Sequence, residues 1–238
     1  VVDFGIEFLK FVERRIKMKQ TSKVLLAVLV IATLFTFYAR KTEAQVTDYD
    51  GNVYKTVKIG TQEWMSENLN VSHYRNGDPI PEVQNSIEWS KVTTGAWCYY
   101  ENNPENGIIY GKLYHYYAVN DPRCLAPEGW HVPTDAEWQT LVDFLGGYKI
   151  AGGKLKAKTL WESPNEGATN ESGFTAFPGG ERLNNGDDDN IGSSGTFWSS
   201  SEYDFVEAWS RNLALKNPEV FRVPYHKRIG LSVRCVRD

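Results

Sequence analysis

The sequence predicts an α+β fold, and three observations carry that expectation. Residues Asp135–Leu145 form a helical segment with both a start and a stop signal. After Ile150 the chain turns to short aromatic or alternating pieces separated by Gly, Ser, Asn and Asp. No Pro/Ser linker and no repeat of fixed period divides residues 46–238, so one domain is expected there. Helices should be few and lie in the first half, with irregular antiparallel strands and long loops in the second.

Taken in order, Val53–Ile59 (VYKTVKI) alternates apolar with polar and reads as a strand ended by Gly60. Trp64-Met65 starts a second short apolar piece. Arg75-Asn76-Gly77-Asp78-Pro79 is a turn, because Asn-Gly tolerates positive φ and Pro cannot continue a ladder. Asn85–Val92 suits a short helix, and Gly111–Asn120 (GKLYHYYAVN) a helix with an aromatic face, stopped by Asp121-Pro122. Thr134 with Glu137 three residues later forms a capping box, Trp138, Leu141, Val142 and Leu145 recur at helical spacing, and Gly146-Gly147 supplies the C-cap. Gly173–Pro178 and Phe197–Ser199 are short aromatic pieces, and Glu207–Leu215 alternates well. Val220–Val223 and Gly230–Val236 close the chain as strands.

The chain has 238 residues, 41% hydrophobic and 24% charged, as folded globular chains do. Its 13% aromatic content, with 8 Trp and 13 Tyr, supplies a substantial core. The formal charge of −4 argues against a general nucleic-acid or anionic-membrane binder. Residues 1–44 hold 8 Lys/Arg against 4 Asp/Glu, whereas the remainder holds 18 against 26, so a basic end precedes an acidic body.

That basic end has the order of a secretory signal over residues 18–44. Met18–Lys23 is short and basic, Val24–Phe37 is apolar apart from Thr, and Thr42-Glu43-Ala44 suits a signal peptidase, with Gln45 as the expected mature N-terminus. The apolar run is shorter than the roughly 20 residues of a spanning helix, so no span is expected in the mature chain. The alternative is an uncleaved anchor, which Arg40 and Lys41 favour. No Cys lies near the cleavage site to carry a lipid. Met18 is the first methionine, which makes residues 1–17 either a start-site artefact or an amphipathic leader with Phe4, Phe8, Phe11 and Val12 at helical spacing. The mature product is thus expected to be secreted, periplasmic or on the cell surface.

Several longer motifs carry a family resemblance: WMSENLN (64–70), GAWCYY (95–100), YGKLYHYYAVNDP (110–122), APEGWHVPTDAEW (126–138), ATNESGFTAFPGG (168–180), FWSSSEY (197–203), AWSRNL (208–213) and GLSVRCVRD (230–238). Together, in this order, they resemble the Fibrobacter succinogenes major paralogous domain, a family placed with C-type-lectin-like folds. The resemblance implies such a fold over 46–238. A weaker likeness, at Pro133–Trp138 and Gly230–Cys235, runs to the sulfatase-modifying-factor or formylglycine-generating enzyme domain. A shared scaffold does not carry chemistry with it.

The cysteines are Cys98, Cys124 and Cys235. Export implies an oxidising compartment and pairing. The lectin-like resemblance implies a Cys124–Cys235 bridge, from the segment after the first helix to the last strand, with Cys98–Cys235 as the alternative. The formylglycine-generating resemblance implies cysteines shortly before the final strand, but Glu219–Ile229 has none, so no catalytic residues are assigned. Cys98 with His73 or His115 lacks any supporting spacing. His73, His115, His131 and His226 show no zinc spacing.

The remaining candidates are oxygens and aromatic rings. Asp187, Asp188, Asp189 and Asn190, with Asn184 in the same Leu183–Gly195 loop, form a dense oxygen cluster. It suits Ca²⁺ chemically but lacks EF-hand spacing, and consecutive positions cannot all face one ion. The expectation is therefore a solvated acidic loop with no cofactor, and Ca²⁺ binding is the alternative. The Glu-Pro-Asn and Trp-Asn-Asp signatures of Ca²⁺-dependent sugar-binding lectins are absent. Trp161, in a polar segment, and Tyr203, at a loop edge, are candidate sugar-stacking rings, although packing competes as a role for Trp161. Trp64, Trp97, Trp130, Trp138, Trp198 and Trp209 fit core positions. The expected function is an exported, non-catalytic binding or adhesion module for carbohydrate or a surface protein. The alternatives are a structural part of a cell-surface assembly and an enzyme of sulfatase-modifying type.

Overall fold

The structure, a computed structural model, describes residues 44–238 together with Lys10, Glu13–Arg15, Lys17 and Met18. The chain divides into two compact units, Val1–Glu43 and Ala44–Asp238. The described residues of the first are helical. The apolar run Val24–Phe37 and the Thr42-Glu43 side of the expected cleavage site lie outside the described residues. Among the described residues no helix is long and apolar enough to cross a membrane.

The second unit mixes α and β. Strands β1 (Gln45–Thr47), β2 (Val53–Ile59), β3 (Gln62–Met65), β6 (Trp130–His131) and β12 (Val236–Arg237) form one five-stranded sheet in the order β1-β2-β3-β12-β6. Strands β7 (Gly179–Arg182), β8 (Asp188–Ile191), β9 (Ser194–Glu202), β10 (Glu207–Ala214) and β11 (Val220–His226) form another, in the order β11-β10-β9-β7-β8. A third, two-stranded sheet pairs β4 (Trp97–Cys98) with β5 (Leu113–Tyr114). Neighbouring strands run antiparallel except β7 and β9, which meet in parallel at Gly180–Gly195. Helices are short: α1 (Ser86–Trp89), α2 (Pro104–Tyr110), α3 (Tyr116–Val119), α4 (Asp135–Phe144) and α5 (Tyr148–Leu155).

Helix α4 forms where its signals lie. Thr134 Oγ1 accepts from Glu137 N at 3.2 Å, and Glu137 Oε2 accepts from Thr134 N at 2.8 Å. At its other end Gly147 N reaches Val142 O and Gly146 N reaches Asp143 O, with φ of 93° and 101°, which is a Schellman stop. Trp138, Leu141 and Val142 bury its apolar stripe.

Other expectations need correction. Gly111–Asn120 is not one helix: Gly111 has φ 73°, Leu113–Tyr114 is strand β5, and only Tyr116–Val119 is helical. Gly230–Ser232 makes isolated bridges before β12 instead of one continuous strand. The stretch Leu183–Gly195 contains β8, paired to β7. Helix α5 was not expected, because its Gly152-Gly153 reads as a breaker. Both glycines lie under crossing backbone, where a Cβ at Gly152 would stand 2.2 Å from Glu219 O and one at Gly153 2.3 Å from Gly167 O.

The core has three clusters. One gathers Tyr114, Tyr116, Trp130, Trp198 and Val233, and a second gathers Trp64, Trp138, Phe174 and Phe197. A smaller third surrounds Trp89, Cys98 and Leu113. Trp209, expected in the core, is only half-buried. Cationic side chains, the buried Arg234 and Lys156 and the half-buried Arg75, tie the loops to these clusters. Arg234, with no exposed surface, donates to Asn68 Oδ1, Met65 O, Phe174 O and Thr175 O and lies 4.3 Å over the Phe174 ring. Lys156 donates to Glu166 O, Ala214 O and Asn217 O, and Arg75 to Ala126 O, Pro127 O and Trp130 O. Carbonyls that no helix or ladder pairs are thereby satisfied.

Candidate functional site

The acidic stretch is a hairpin. Register sets Glu181 opposite Asp189 and Arg182 opposite Asp188. Because successive side chains alternate faces, Glu181 and Asp189 share one side and Arg182 and Asp188 the other. Asp187, Asp188 and Asp189 therefore cannot converge on one ion. Among the described residues no group of three or more His, Cys, Asp or Glu side chains is placed to hold a metal.

The turn between the strands is held by its own side chains. Leu183 N donates to Asp187 O and Gly186 N to Leu183 O. Asn185 Oδ1 accepts from Asp187 N at 3.0 Å, and Asn185 Nδ2 donates to Asp187 Oδ2 at 2.7 Å. Gly186, at φ 88°, lies against Ser86 of α1, whose Oγ donates to Gly186 O. Asn184, Asp187, Asp189 and Asn190 are exposed on this fixed frame, whereas Asp188 is half-buried. Burial pushes the Asp188 carboxyl up, Arg182 opposes that shift, and its Oδ1 has no hydrogen-bond partner.

Glu181 is the residue that sequence reasoning missed. It is 5% exposed, its Oε1 accepts from Asn190 Nδ2 at 3.1 Å, and its Oε2 has no partner. Burial chiefly, and the Asp189 charge, push this carboxyl above its usual range, against the Asn190 and Tyr225 side chains, which hold it down in part. Like charges placed directly opposite across a ladder repel. The Gly-Gly-Glu-Arg run that carries Glu181 has no alternation to mark it as a buried strand.

Trp161 is half-buried and not an open platform. Its Nε1 donates to Ala176 O at 3.0 Å, its ring packs on the second core cluster, and Lys156 Nζ lies 5.2 Å from the ring centre. Its segment does lie beside the hairpin, since Glu162 N donates to Gly192 O. Tyr203 is exposed but follows the far end of β9, so it does not join Asn184–Asn190. It meets Trp209 edge-on at 4.7 Å, and the Arg222 guanidinium covers that indole at 3.3 Å. Beside it Phe205 is 89% exposed on a tight turn in which Asp204 Oδ1 accepts from Val206 N and Glu207 N.

The implied Cys124–Cys235 bridge is not formed, and neither is Cys98–Cys235, because all three cysteines are free. Cys235 is enclosed in the first core cluster, while Cys124 stands exposed in a turn at φ 62° with its Sγ toward Pro122 O. Burial pushes the Cys98 thiol up to about 12 and the Cys235 thiol higher still. His115 is fully buried against Trp89, neither ring nitrogen has a partner, and burial, with Arg228 and Arg182 nearby, pushes it down to about 3. His131 is held on both sides, Nε2 by Glu137 Oε1 at 2.7 Å and Nδ1 by Asp238 Oδ1 at 2.6 Å. Burial disfavours the thiolate form of Cys98 and Cys235, both nitrogens of His131 are committed, and the unpartnered nitrogens of His115 are enclosed in the core away from solvent.

Among known proteins, a family model described as the Fibrobacter succinogenes major domain matches residues 57–237. No curated protein and no solved structure matches the chain.

Proposed function

This chain belongs to the Fibrobacter succinogenes major domain family, and on that premise we propose that it is an exported, non-catalytic binding or adhesion module. Its fold, on this reading, is C-type-lectin-like, and its ligand is a carbohydrate or a surface protein. The observation that carries the reading is the fixed β7–β8 turn. It presents Asn184, Asp187, Asp189 and Asn190 to solvent while its backbone is locked by Asn185 and by α1. Polar groups on a pre-set frame lose little freedom on binding, which is how loop-borne recognition gains affinity. The enclosure of Cys98 and Cys235 in the core and the doubly bonded His131 support a role without covalent chemistry, with Cys124 the one thiol open to solvent.

The test is a glycan array probed with the purified protein, with Ca²⁺ and with chelator. Binding of a defined glycan class is the expected result, and loss of that binding in chelator would show that a cation takes part in it. An array and a surface-protein screen that both stay blank would favour a purely structural component.

A further inference from the structure

We propose that a second site, separate from the β7–β8 hairpin, binds an extended peptide segment of neutral or basic character through an aliphatic side chain and the main-chain N–H and C=O of one residue. An open cavity of about 430 Å³ lies between β2, the segment 67–70 and α2. That volume lies in the range of ligand clefts. None of the hairpin's residues lines it.

Its polar floor is pre-set. Asn52 Nδ2 donates to Asp48 Oδ2 at 2.8 Å and to Asn70 O at 3.4 Å, so the two asparagines are neighbours and the Asn52 Oδ1 remains uncommitted among the described residues. Asn70 takes Lys112 Nζ on its Oδ1 at 3.1 Å and on its main-chain oxygen, so its side-chain NH₂ is the group left uncommitted. Lys112 is itself fixed, buried over the Trp97 ring at 4.4 Å and the Tyr99 ring at 5.1 Å. One free acceptor beside one free donor is the complement of one extended residue, whose own N–H and C=O point to the same side, the N–H toward Asn52 Oδ1 and the C=O toward Asn70 Nδ2.

The rim is aliphatic. Ile108 is 84% exposed, Val53 55% and Ile109 45%, and all three line the cavity. They offer a seat for an aliphatic side chain of the peptide. A sugar would want a ring to stack on, and the aromatic residue lining the cavity, Tyr54, is 3% exposed with its hydroxyl spent on Asp48 and Asn70 N. Among the described residues Glu67 is the one charged residue lining the cavity, and it disfavours a carboxylate placed beside it, while the Lys112 ammonium is already taken up by Asn70. This inference rests on the binding-module reading but not on the hairpin.

The experiment pans a phage-displayed library of random linear dodecapeptides against the full chain and measures synthetic hits by fluorescence polarisation. The expected result is enrichment of peptides without acidic residues around an aliphatic position. Their affinity should fall at least tenfold in both Asn70→Ala and Ile108→Ser and stay unchanged in Phe205→Ala. Ile108 is so exposed that its change leaves the fold intact, which keeps the result readable if Asn70→Ala unfolds. Absence of enrichment, hits that bind Ile108→Ser as tightly as the parent, or a glycan that competes for the cleft would each overturn the proposal. Glycan binding that depends on the hairpin but not on Ile108 would leave the module reading standing while removing this site.

Discussion

Arg234 shows at the scale of one residue how this fold is held. Its guanidinium replaces water with four protein acceptors and stacks on Phe174, and burial pushes it down to about 9. Arg234→Met would leave those acceptors unpaired in the core. A loss of about 3–5 kcal/mol is expected by denaturant titration. Glu181 makes the opposite case. Its carboxyl is raised in the fold, so its contribution to stability is present below the ordinary carboxylate range and is lost as pH rises through the raised folded value. In chelator at neutral pH, Glu181→Gln should therefore melt above the parent, and the gap should close on acidification. A lower melting point for Glu181→Gln would show that the charged carboxylate has a favourable partner. Neither role was legible in the sequence. Arg and Glu are surface residues by default, and nothing local marks the few that are enclosed.

Among the elements, α4 was the most legible because its signals are local: a cap, a box, a stripe and a stop within one short stretch. Thr134→Ala removes a cap that serves Glu137 N and should cost about 1 kcal/mol. Glu137 has a second task, since its other oxygen holds His131 against the C-terminal Asp238. His131 resists the effect of burial because Asp238 and Glu137 accept from its ring, and its pKa is raised. A raised histidine stabilises fully below its ordinary value of about 6.5 and loses that contribution as pH rises through the folded one. Thermal melts from pH 6 to pH 8 should therefore fall less steeply for His131→Gln than for the parent, and equal slopes would contradict the clamp. The helix expected at Gly111–Asn120 shows where local reading fails. Lys112, Leu113, Tyr114, His115 and Tyr116 are all buried, so no face is left to set a period, and pairing with β4 decides the conformation. In α5 the glycines that hide the helix are the residues that let Glu219 and Gly167 cross it.

At the scale of the molecule, two five-stranded sheets, long connections and buried cations form a frame that carries exposed side chains at fixed turns. The α+β class was legible because both helical and alternating patterns occur, but the expected split into a helical first half and a stranded second half was not met, since β1–β6 interleave with α1–α3 before α4. The disulfide was not legible, because only the lectin-like resemblance placed it, whereas the fold sets Cys235 in the core and Cys124 in an exposed turn with all three thiols free. The hairpin's exposed oxygens were found from composition, whereas their register with Glu181 needed the fold. The most direct test of the binding-module account compares the parent with the triple variant Asn184→Ala, Asp187→Ala and Asp189→Ala on the same ligand panel, with melting curves from the same samples. Asp188 is left untouched because it is half-buried beside Arg182. The account expects stability within about 0.5 kcal/mol per exposed change, together with at least a tenfold loss of affinity. Ligand binding that survives the triple variant unchanged would contradict it.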